Sequence, residues 1–286
     1  MGRKDGTRIK NLSGMGQLIM DINPLRIGSE VYINQDIDVT ELMNYLKVKK
    51  KIDNKITFFH AIVTALGKTI YSKEKLNYFI SNRHLYKRNN VVISFVAKVE
   101  FNDQAEEMMI LIPIEEKDNI DKISQKIRKK VDEIRKKKES VDKKGANSAI
   151  DVIGKLPNII RVPLVGLLKK MDSKGLLPES LKEDNLYYST AIVSNLGSIK
   201  CGAIYHHVSD FGTCSILVTI GEVKEKKVII EGKEVKREFC EFGITLDERI
   251  ADGFYFAQAV KIIEEICANP KLLEEAVSNK VDVKIR

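Results

Sequence analysis

The segment 246–260 carries the residues whose types and spacing are best suited to chemistry. It reads LDERIADGFYFAQAV, so Asp247, Glu248, Arg249 and Asp252 lie directly before an apolar helix pattern. A positioned base that removes a proton from an attacking nucleophile accelerates a reaction by about 10²- to 10⁴-fold. A free glutamate titrates near ~4.3, whereas a base for neutral pH needs a higher pKa, which burial favours and a neighbouring arginine opposes. The segment therefore predicts either a carboxylate base at Glu248 or a site that has lost its base.

Histidine and cysteine side chains offer further candidates. His206 and His207 are adjacent in AIYHHVSD, and imidazole suits proton transfer near neutral pH. If this stretch is extended, successive side chains point to opposite faces, so at most one ring enters a site. Cys201 and Cys214 could hold an acyl group, but neither has a partner base at a suitable spacing, and buried inert thiols are commoner. His60 lies within a helical apolar pattern and is expected to be a packed core residue.

Bulk composition limits the class of protein. A chain of 286 residues that is 43% hydrophobic can bury a full core. Its four cysteines form no CxxC pair, which favours reduced thiols and a cytoplasmic protein. The net charge of +8 could attract nucleic acid, anionic lipid or a phosphorylated cofactor. No nucleic-acid motif accompanies this charge, and no run of about 18 apolar residues exists to span a membrane.

Hydrophobic periodicity predicts strands that alternate with long helices. In the first half it indicates a strand at 30–39, helices at 40–47 and 57–70, strands within 83–99 and at 107–114, and an amphipathic helix at 120–138. In the second half it indicates strands at 187–197, 214–223 and 238–246, a hairpin turn at Glu231 and Gly232, and a last helix after Gly253. This order predicts an α/β protein with a mixed sheet and helices stacked on it.

An inserted segment, residues 145–184, interrupts that order. It holds three of the six prolines and many aliphatic residues, together with the cations Lys155, Arg161, Lys169, Lys170 and Lys174. One interpretation is a helical hairpin that covers core surface, because aliphatic stripes at helical spacing are usually core. The other is a basic helix, within about 149–177, that lies on anionic lipid or covers an apolar substrate.

Four separated stretches carry a resemblance to a known family. In order and spacing, SEVYINQDIDVTEL, LNYFISNRHLYKRNNVVISFVAKV, AIVSNLGS and LDERIADGFYFAQAVKIIEEICANPKLLEE resemble the catalytic domain of the 2-oxo acid dehydrogenase acyltransferases. The resemblance covers about 26–276 apart from the inserted segment. It implies a single catalytic domain over 1–286 with the two-layer α/β fold of chloramphenicol acetyltransferase. It also implies a homotrimer with an active-site channel between subunits, where the pantetheine arm of coenzyme A or lipoamide enters.

The same resemblance assigns roles to individual residues. The family pattern is Asp-His-Arg-x-x-Asp-Gly with histidine as general base, and Glu248 stands at the histidine position while its neighbours agree with the pattern. Asp252 matches the aspartate that orders the turn, and Gly253 matches the glycine through which the chain enters its helix. Ser194 matches a Ser or Thr whose hydroxyl donates to the oxyanion of the tetrahedral intermediate. The family places the stretch with His206 and His207 near the channel, so either could assist Glu248.

The sequence thus predicts a coenzyme A-dependent acyltransferase that takes an acyl group from a small-molecule thioester, with an atypical glutamate in place of histidine. Because the resemblance begins within about thirty residues of Met1, no room is expected for a lipoyl or peripheral-subunit-binding domain, and any lipoamide would come from another chain. The alternative is a catalytically inactive trimeric scaffold or carrier-binding protein. In both cases association with an anionic membrane surface stays open.

Overall fold

The computed structural model describes residues 3–53, 55–98, 107–140, 149–182 and 185–283. In chain order the elements are β1 (Gly6–Arg8), α1 (Gly14–Ile22), β2 (Glu30–Asp38), α2 (Thr40–Lys49), α3 (Phe58–Ser72), β3 (Tyr78–Ser81), β4 (His84–Arg88), β5 (Val91–Lys98), β6 (Glu107–Ile114), α4 (Ile120–Ser140), α5 (Ala149–Gly154), α6 (Asn158–Ser173), β7 (Ala191–Asn195), β8 (Ile216–Ile230), β9 (Lys233–Asp247) and α7 (Gly253–Ala268).

A six-stranded mixed sheet organises the molecule. Its strand order is β2-β9-β8-β7-β5-β6, with β7 parallel to both β5 and β8 and the remaining pairs antiparallel. A smaller sheet has the order β1-β4-β3. The long β8–β9 hairpin turns at Glu231 and Gly232, both with positive φ, as the turn residues predict. The predicted α/β class with a mixed sheet is confirmed.

The two faces of this sheet have different roles. Val193, Val218 and Ile244 lie on the face that packs against α3 and α7 in the main hydrophobic core. Residues next to them in sequence point the opposite way, because side chains alternate along a strand. Ser194, Thr219, Gly243 and Asn34 are paired in one row across β7, β8, β9 and β2, so they share the opposite face.

Helix α3, which the sequence pattern predicts, is the most deeply buried of the helices. It begins with a capping box. The Thr57 side chain accepts from the His60 backbone, while Nδ1 of His60 accepts from the Thr57 backbone N–H at 3.4 Å. Ser124 Oγ lies 3.0 Å from the same nitrogen. Burial, reinforced by nearby Arg128, lowers the pKa of His60 to about 4. The expectation that His60 is a packed core residue is confirmed by its 6% exposure.

This buried imidazole should make stability fall on mild acidification. The unfolded state takes up a proton near ~6.5 while folded His60 resists protonation to about 4, so stability is lost as pH falls through that window, by up to about 3 kcal/mol. His60→Gln keeps a side chain suited to the capping box and removes the titration. Denaturant unfolding from pH 4 to 7 should therefore show a flatter pH dependence for His60→Gln. Parallel curves for the two proteins would contradict this assignment.

Several sequence expectations need correction. The strand expected at 187–197 is only Ala191–Asn195, because Leu186–Tyr188 forms a 3-10 turn. Helix α1 and the strands β1 and β3 of the small sheet were not anticipated, since their short segments lack a clear period, whereas β4 was predicted within 83–99. Cysteines Cys214, Cys240 and Cys267 are buried free thiols as expected, whereas Cys201 is exposed.

The structure contradicts one of the two interpretations of the inserted segment. Residues 145–148 and 183–184 lie outside the described residues. Within the remainder, the aliphatic side chains of α6 are largely exposed and do not cover the core of their own chain. The prediction of a helical hairpin that covers core surface is therefore wrong for α6 in the single chain.

Candidate functional site

Glu248 occupies the turn between β9 and α7. Its backbone N–H donates to the Ser29 carbonyl at 2.9 Å, which fixes the turn against the start of β2. The Glu248 side chain is half-buried. Among the described residues, none forms a hydrogen bond or ion pair with its carboxylate. The chain therefore holds the backbone of Glu248 firmly and leaves its carboxylate free.

The neighbours of Glu248 are held by a buried ion-pair cluster. Asp247 is fully buried and accepts two hydrogen bonds from Arg249, Nε at 2.8 Å and Nη2 at 2.7 Å. Arg249 also donates to the Asn23 carbonyl at 2.8 Å. The guanidinium expected to act on Glu248 is therefore engaged by Asp247. The acidic and basic neighbours of Glu248 are structural partners of each other.

A second buried arginine, Arg26, joins this cluster from the segment that precedes β2. Arg26 Nε lies 3.5 Å from Asp247 Oδ2, without a hydrogen bond between them. Its Nη atoms donate to the carbonyls of Ser209, Ile80 and Gly212 at 2.6–3.2 Å. Burial lowers the pKa of Arg26 from its usual value, although Asp247 opposes that effect. No local sequence pattern marks Arg26, because its partners are distant in the chain: Ile80 is 54 residues away and Asp247 is 221 residues away.

Asp252 and Gly253 form the junction with α7. Asp252 is the N-cap of the helix, and its Oδ1 accepts from the Tyr255 backbone N–H at 2.8 Å. This arrangement agrees with the turn-ordering role that the resemblance implies. Gly253 needs no glycine-specific conformation, since its φ is not positive and a Cβ would meet nothing within 4 Å. Steric demand within this chain therefore does not account for a glycine there.

Ser194 stands on the open face of the sheet, near the end of β7. It is half-buried, and within the described part of the chain its hydroxyl has no hydrogen-bond partner. Across the sheet it is level with Thr219 of β8 and Gly243 of β9. Glu248 lies five residues beyond Gly243 along the chain. With strands about 4.8 Å apart and about 3.4 Å per residue, the two backbones are on the order of 20 Å apart. One chain therefore does not bring Ser194 and Glu248 together.

The crossing loop, residues 201–213, passes over this open face between the two groups. Thr219 Oγ1 donates to the Ile204 carbonyl at 2.5 Å and accepts from the Ile204 N–H at 3.2 Å. A Cβ on Gly243 would come within 2.3 Å of the Ile204 oxygen, and one on Gly221 within 2.8 Å of the Ala203 nitrogen. Both positions must be glycine for the loop to lie this close to the sheet.

His206 and His207 lie on the crossing loop and differ from the extended-chain expectation. Their rings stack on one another, with centroids 4.7 Å apart and planes at 21°, so they do not point to opposite faces. His206 Nδ1 lies 2.9 Å from the His207 carbonyl oxygen, and both side chains are exposed. The next residue, Val208, donates its backbone N–H to Glu30. Since Glu30 pairs with Asp247, the histidines are nearer the Glu248 turn than Ser194 is.

A cleft of about 250 Å³ adjoins the Asp247–Arg249 cluster. Its lining includes four cationic side chains and two carboxylates, Arg26, Arg83, Lys169, Arg249, Asp172 and Asp210. Arg83 and Lys169 are the exposed cations of this set. Phosphate groups are bound by such side chains, so the cleft is chemically suited to a phosphorylated ligand. Elsewhere in the described chain, no group of three or more His, Cys, Asp and Glu residues could hold a metal ion. No helix among the described residues is long and apolar enough to cross a membrane.

Comparison with known proteins confirms the resemblance. Residues 170–274 match the family model of the 2-oxoacid dehydrogenases acyltransferase catalytic domain. No curated protein matches the chain. A probable dihydrolipoamide acetyltransferase from Listeria monocytogenes is similar in structure, with a TM-score of 0.58 at 14% identity, over 97% of this chain and 98% of that chain.

Two further solved structures share the fold. A dihydrolipoamide acetyltransferase from Azotobacter vinelandii, investigated for a serine, a histidine and an asparagine in its mechanism, has a TM-score of 0.55 at 13% identity over 93% of this chain and 94% of that one. A chloramphenicol acetyltransferase has a TM-score of 0.55 at 12% identity over 92% of this chain and 99% of the other. At these identities the structures establish the fold, which is that of chloramphenicol acetyltransferase.

Proposed function

We propose that the protein, in which residues 170–274 match the family model of the 2-oxoacid dehydrogenases acyltransferase catalytic domain, is a homotrimeric, coenzyme A-dependent acyltransferase. In this proposal Glu248 of one subunit acts as the general base. Ser194 of the adjoining subunit binds the oxyanion. The acyl group comes from a thioester, either acyl-coenzyme A or a lipoamide that another chain supplies.

One observation carries the proposal. Ser194 and Glu248 are both half-buried, and neither side chain has a hydrogen-bond partner among the described residues, although the backbone around each is well fixed. They lie on the order of 20 Å apart in one chain, by strand spacing and rise per residue. Ser194 and Glu248 are held in place, have no hydrogen-bond partner among the described residues and cannot meet within one chain. This is expected if each of them completes a site with a residue of a second subunit.

The chemistry then needs only these groups and the substrates. The acceptor X–H attacks the thioester carbonyl carbon, its proton passes to Glu248, and the carbonyl electrons move onto oxygen. The Ser194 hydroxyl donates to that oxyanion. Collapse of the intermediate breaks the carbon–sulfur bond, and the departing thiolate takes the proton back from Glu248. The acceptor leaves acylated and the carboxylate returns to its starting state.

In this proposal, assembly of the trimer removes water from around Glu248. The half-exposed Glu248 carboxylate of a single chain must be desolvated before it is an effective base near neutral pH. A subunit placed over the open face of the sheet would do this. His206 and His207, exposed on the crossing loop beside the Glu248 turn, are then second candidates for proton transfer. The cations of the adjoining cleft, Arg83 and Lys169, suit the phosphates of coenzyme A.

Thiol release from a panel of acyl-coenzyme A thioesters tests the proposal. Wild type should release thiol with at least one acyl group, and Glu248→Gln and Ser194→Ala should both lose most of that rate. A His206→Gln/His207→Gln variant separates the two candidate bases, because it should keep activity if Glu248 alone removes the proton. Equal background rates in all four proteins would exclude the acyltransferase function.

The second candidate is a catalytically inactive trimeric scaffold or carrier-binding protein. It is favoured by the incomplete burial of Glu248 in the single chain and by the glutamate that stands where the family has its histidine. A scaffold should co-purify with a stoichiometric protein partner and show no thermal shift with coenzyme A. A saturable shift would favour the enzyme.

A further inference from the structure

Helix α6 presents an apolar surface that its own chain does not cover. The run Ile159–Leu168 contains aliphatic residues, one proline, one glycine and a single charge. The exposed fractions are 85% for Ile159, 65% for Val162, 54% for Leu167 and 52% for Ile160. Successive residues of an α-helix are about 100° apart, so Ile159, Ile160 and Val162 point in different directions around the helix. A helix that is apolar around most of its circumference is normally enclosed by an apolar environment.

The helix is fastened to the body at its carboxyl end. The Asp172 carboxylate forms an ion pair with Arg3 at 3.2 Å, and its carbonyl accepts from Arg3 at 2.5 Å. Ser81 donates to the Ser173 carbonyl at 3.3 Å. At the other end Arg161 donates to the Gly154 carbonyl at 2.8 Å, which joins α6 to α5. The anchored end holds the apolar run outward in a defined orientation.

Charge identifies the surface that α6 suits. Between Val152 and Met171 the sequence has no acidic residue, and it has the cations Lys155, Arg161, Lys169 and Lys170. The three lysines are exposed. Each basic residue near an anionic bilayer contributes about 1 kcal/mol of attraction, and lysine can extend its ammonium to the headgroups while its methylene stem stays apolar. Pairing with a second copy of α6 would instead bring like charges together.

We propose that α6 lies in the interfacial region of an anionic membrane, with its aliphatic residues among the acyl chains and its lysines at the headgroups. This binding function is independent of the proposed acyl transfer. Because Lys169 and Asp172 line the same cleft as Arg249, membrane-bound α6 would end beside the Glu248 turn. The site would then face substrates that reside at the lipid surface.

Co-sedimentation of the full chain with vesicles tests the proposal. Vesicles of phosphatidylcholine with phosphatidylglycerol should retain the protein, and pure phosphatidylcholine vesicles should retain much less. Ile160→Glu/Leu167→Glu changes two residues seven positions apart on one helical face, and it should weaken binding at least about ten-fold. Lys155→Glu/Lys170→Glu should weaken it similarly, and raising salt should weaken wild-type binding.

Matched variants control for hydrophobicity and charge. Ile229→Glu changes an 80% exposed residue of the β8–β9 hairpin, and Lys50→Glu/Lys51→Glu changes two exposed lysines after α2. Both should bind like wild type, and all four variants alter exposed positions, so circular dichroism should confirm folding. Failure of wild type to bind anionic vesicles, or equal losses in α6 and control variants, would overturn the proposal. Self-association that requires α6 in the absence of lipid would assign this helix to a second copy instead.

Discussion

Mixed trimers assembled from Glu248→Gln and Ser194→Ala chains should recover about a third of the wild-type turnover, although each variant alone is nearly inactive. Loss of the base should lower kcat by about 10²- to 10⁴-fold. Loss of the oxyanion donor should lower it by about 10²- to 10³-fold. Recovery follows if each site takes Glu248 from one subunit and Ser194 from the next. A cyclic trimer that contains both kinds of chain then has an intact pair at about one interface in three.

Co-expression with two different tags supplies the mixed trimers, and turnover per trimer is the measurement. The control is a mixture of Glu248→Gln chains with Glu248→Gln/Ser194→Ala chains, in which no interface contains both groups. That mixture should stay inactive. Absence of recovery in the first mixture would show that the two residues do not form a shared site, even if single variants lose activity.

Replacement of Asp247 by Asn should lower the free energy of unfolding by about 3–5 kcal/mol. The change keeps the shape of the side chain and removes the carboxylate that faces two buried guanidinium groups, Arg249 at 2.7 Å and Arg26 at 3.5 Å. Arg249 would then be buried without its ion-pair partner, and Arg26 would keep only the weaker influence of Asp210. Denaturant unfolding at fixed protein concentration gives the measurement, since assembly makes stability depend on concentration.

Asp36→Asn is the matched control for this prediction. Asp36 is an exposed carboxylate of β2 in the same sheet, and it pairs with Lys226 at the surface. Surface ion pairs contribute about 0–1 kcal/mol, so its loss should be small. Equal effects of the two substitutions would contradict a structural role for the buried cluster.

Local patterns predicted most of the sheet and the long helices. The apolar stripe of α4, the parity of β2 and the Glu231–Gly232 turn each leave a pattern within a few consecutive residues, so periodicity and turn chemistry are enough to predict them. The start of α7 was predicted from its apolar pattern, whereas the turn-ordering role of Asp252 came from the resemblance. Helix α1 escaped because its nine residues are too few to show a long helical period.

The arrangement around Glu248 was less accessible to sequence reasoning. The engagement of Arg249 by Asp247 and the approach of Arg26 depend on how β2, β9 and the crossing loop meet in space. The stacking of His206 on His207 depends on an irregular backbone that alternation rules do not describe. The exposure of α6 was likewise hidden, because an aliphatic stripe has the same sequence pattern whether the chain, a partner or a lipid covers it.

The two glycines beneath the crossing loop allow the outward side chains of the loop to be substituted without a change in its path. Gly221 and Gly243 admit the loop through backbone clearance, and Thr219 holds it by its main chain at Ile204. The route of residues 203–207 is thus encoded in the sheet below and not in their own outward side chains. Recognition at this surface can be rewritten by substitution at Tyr205, His206 and His207 while the scaffold that carries them stays as it is.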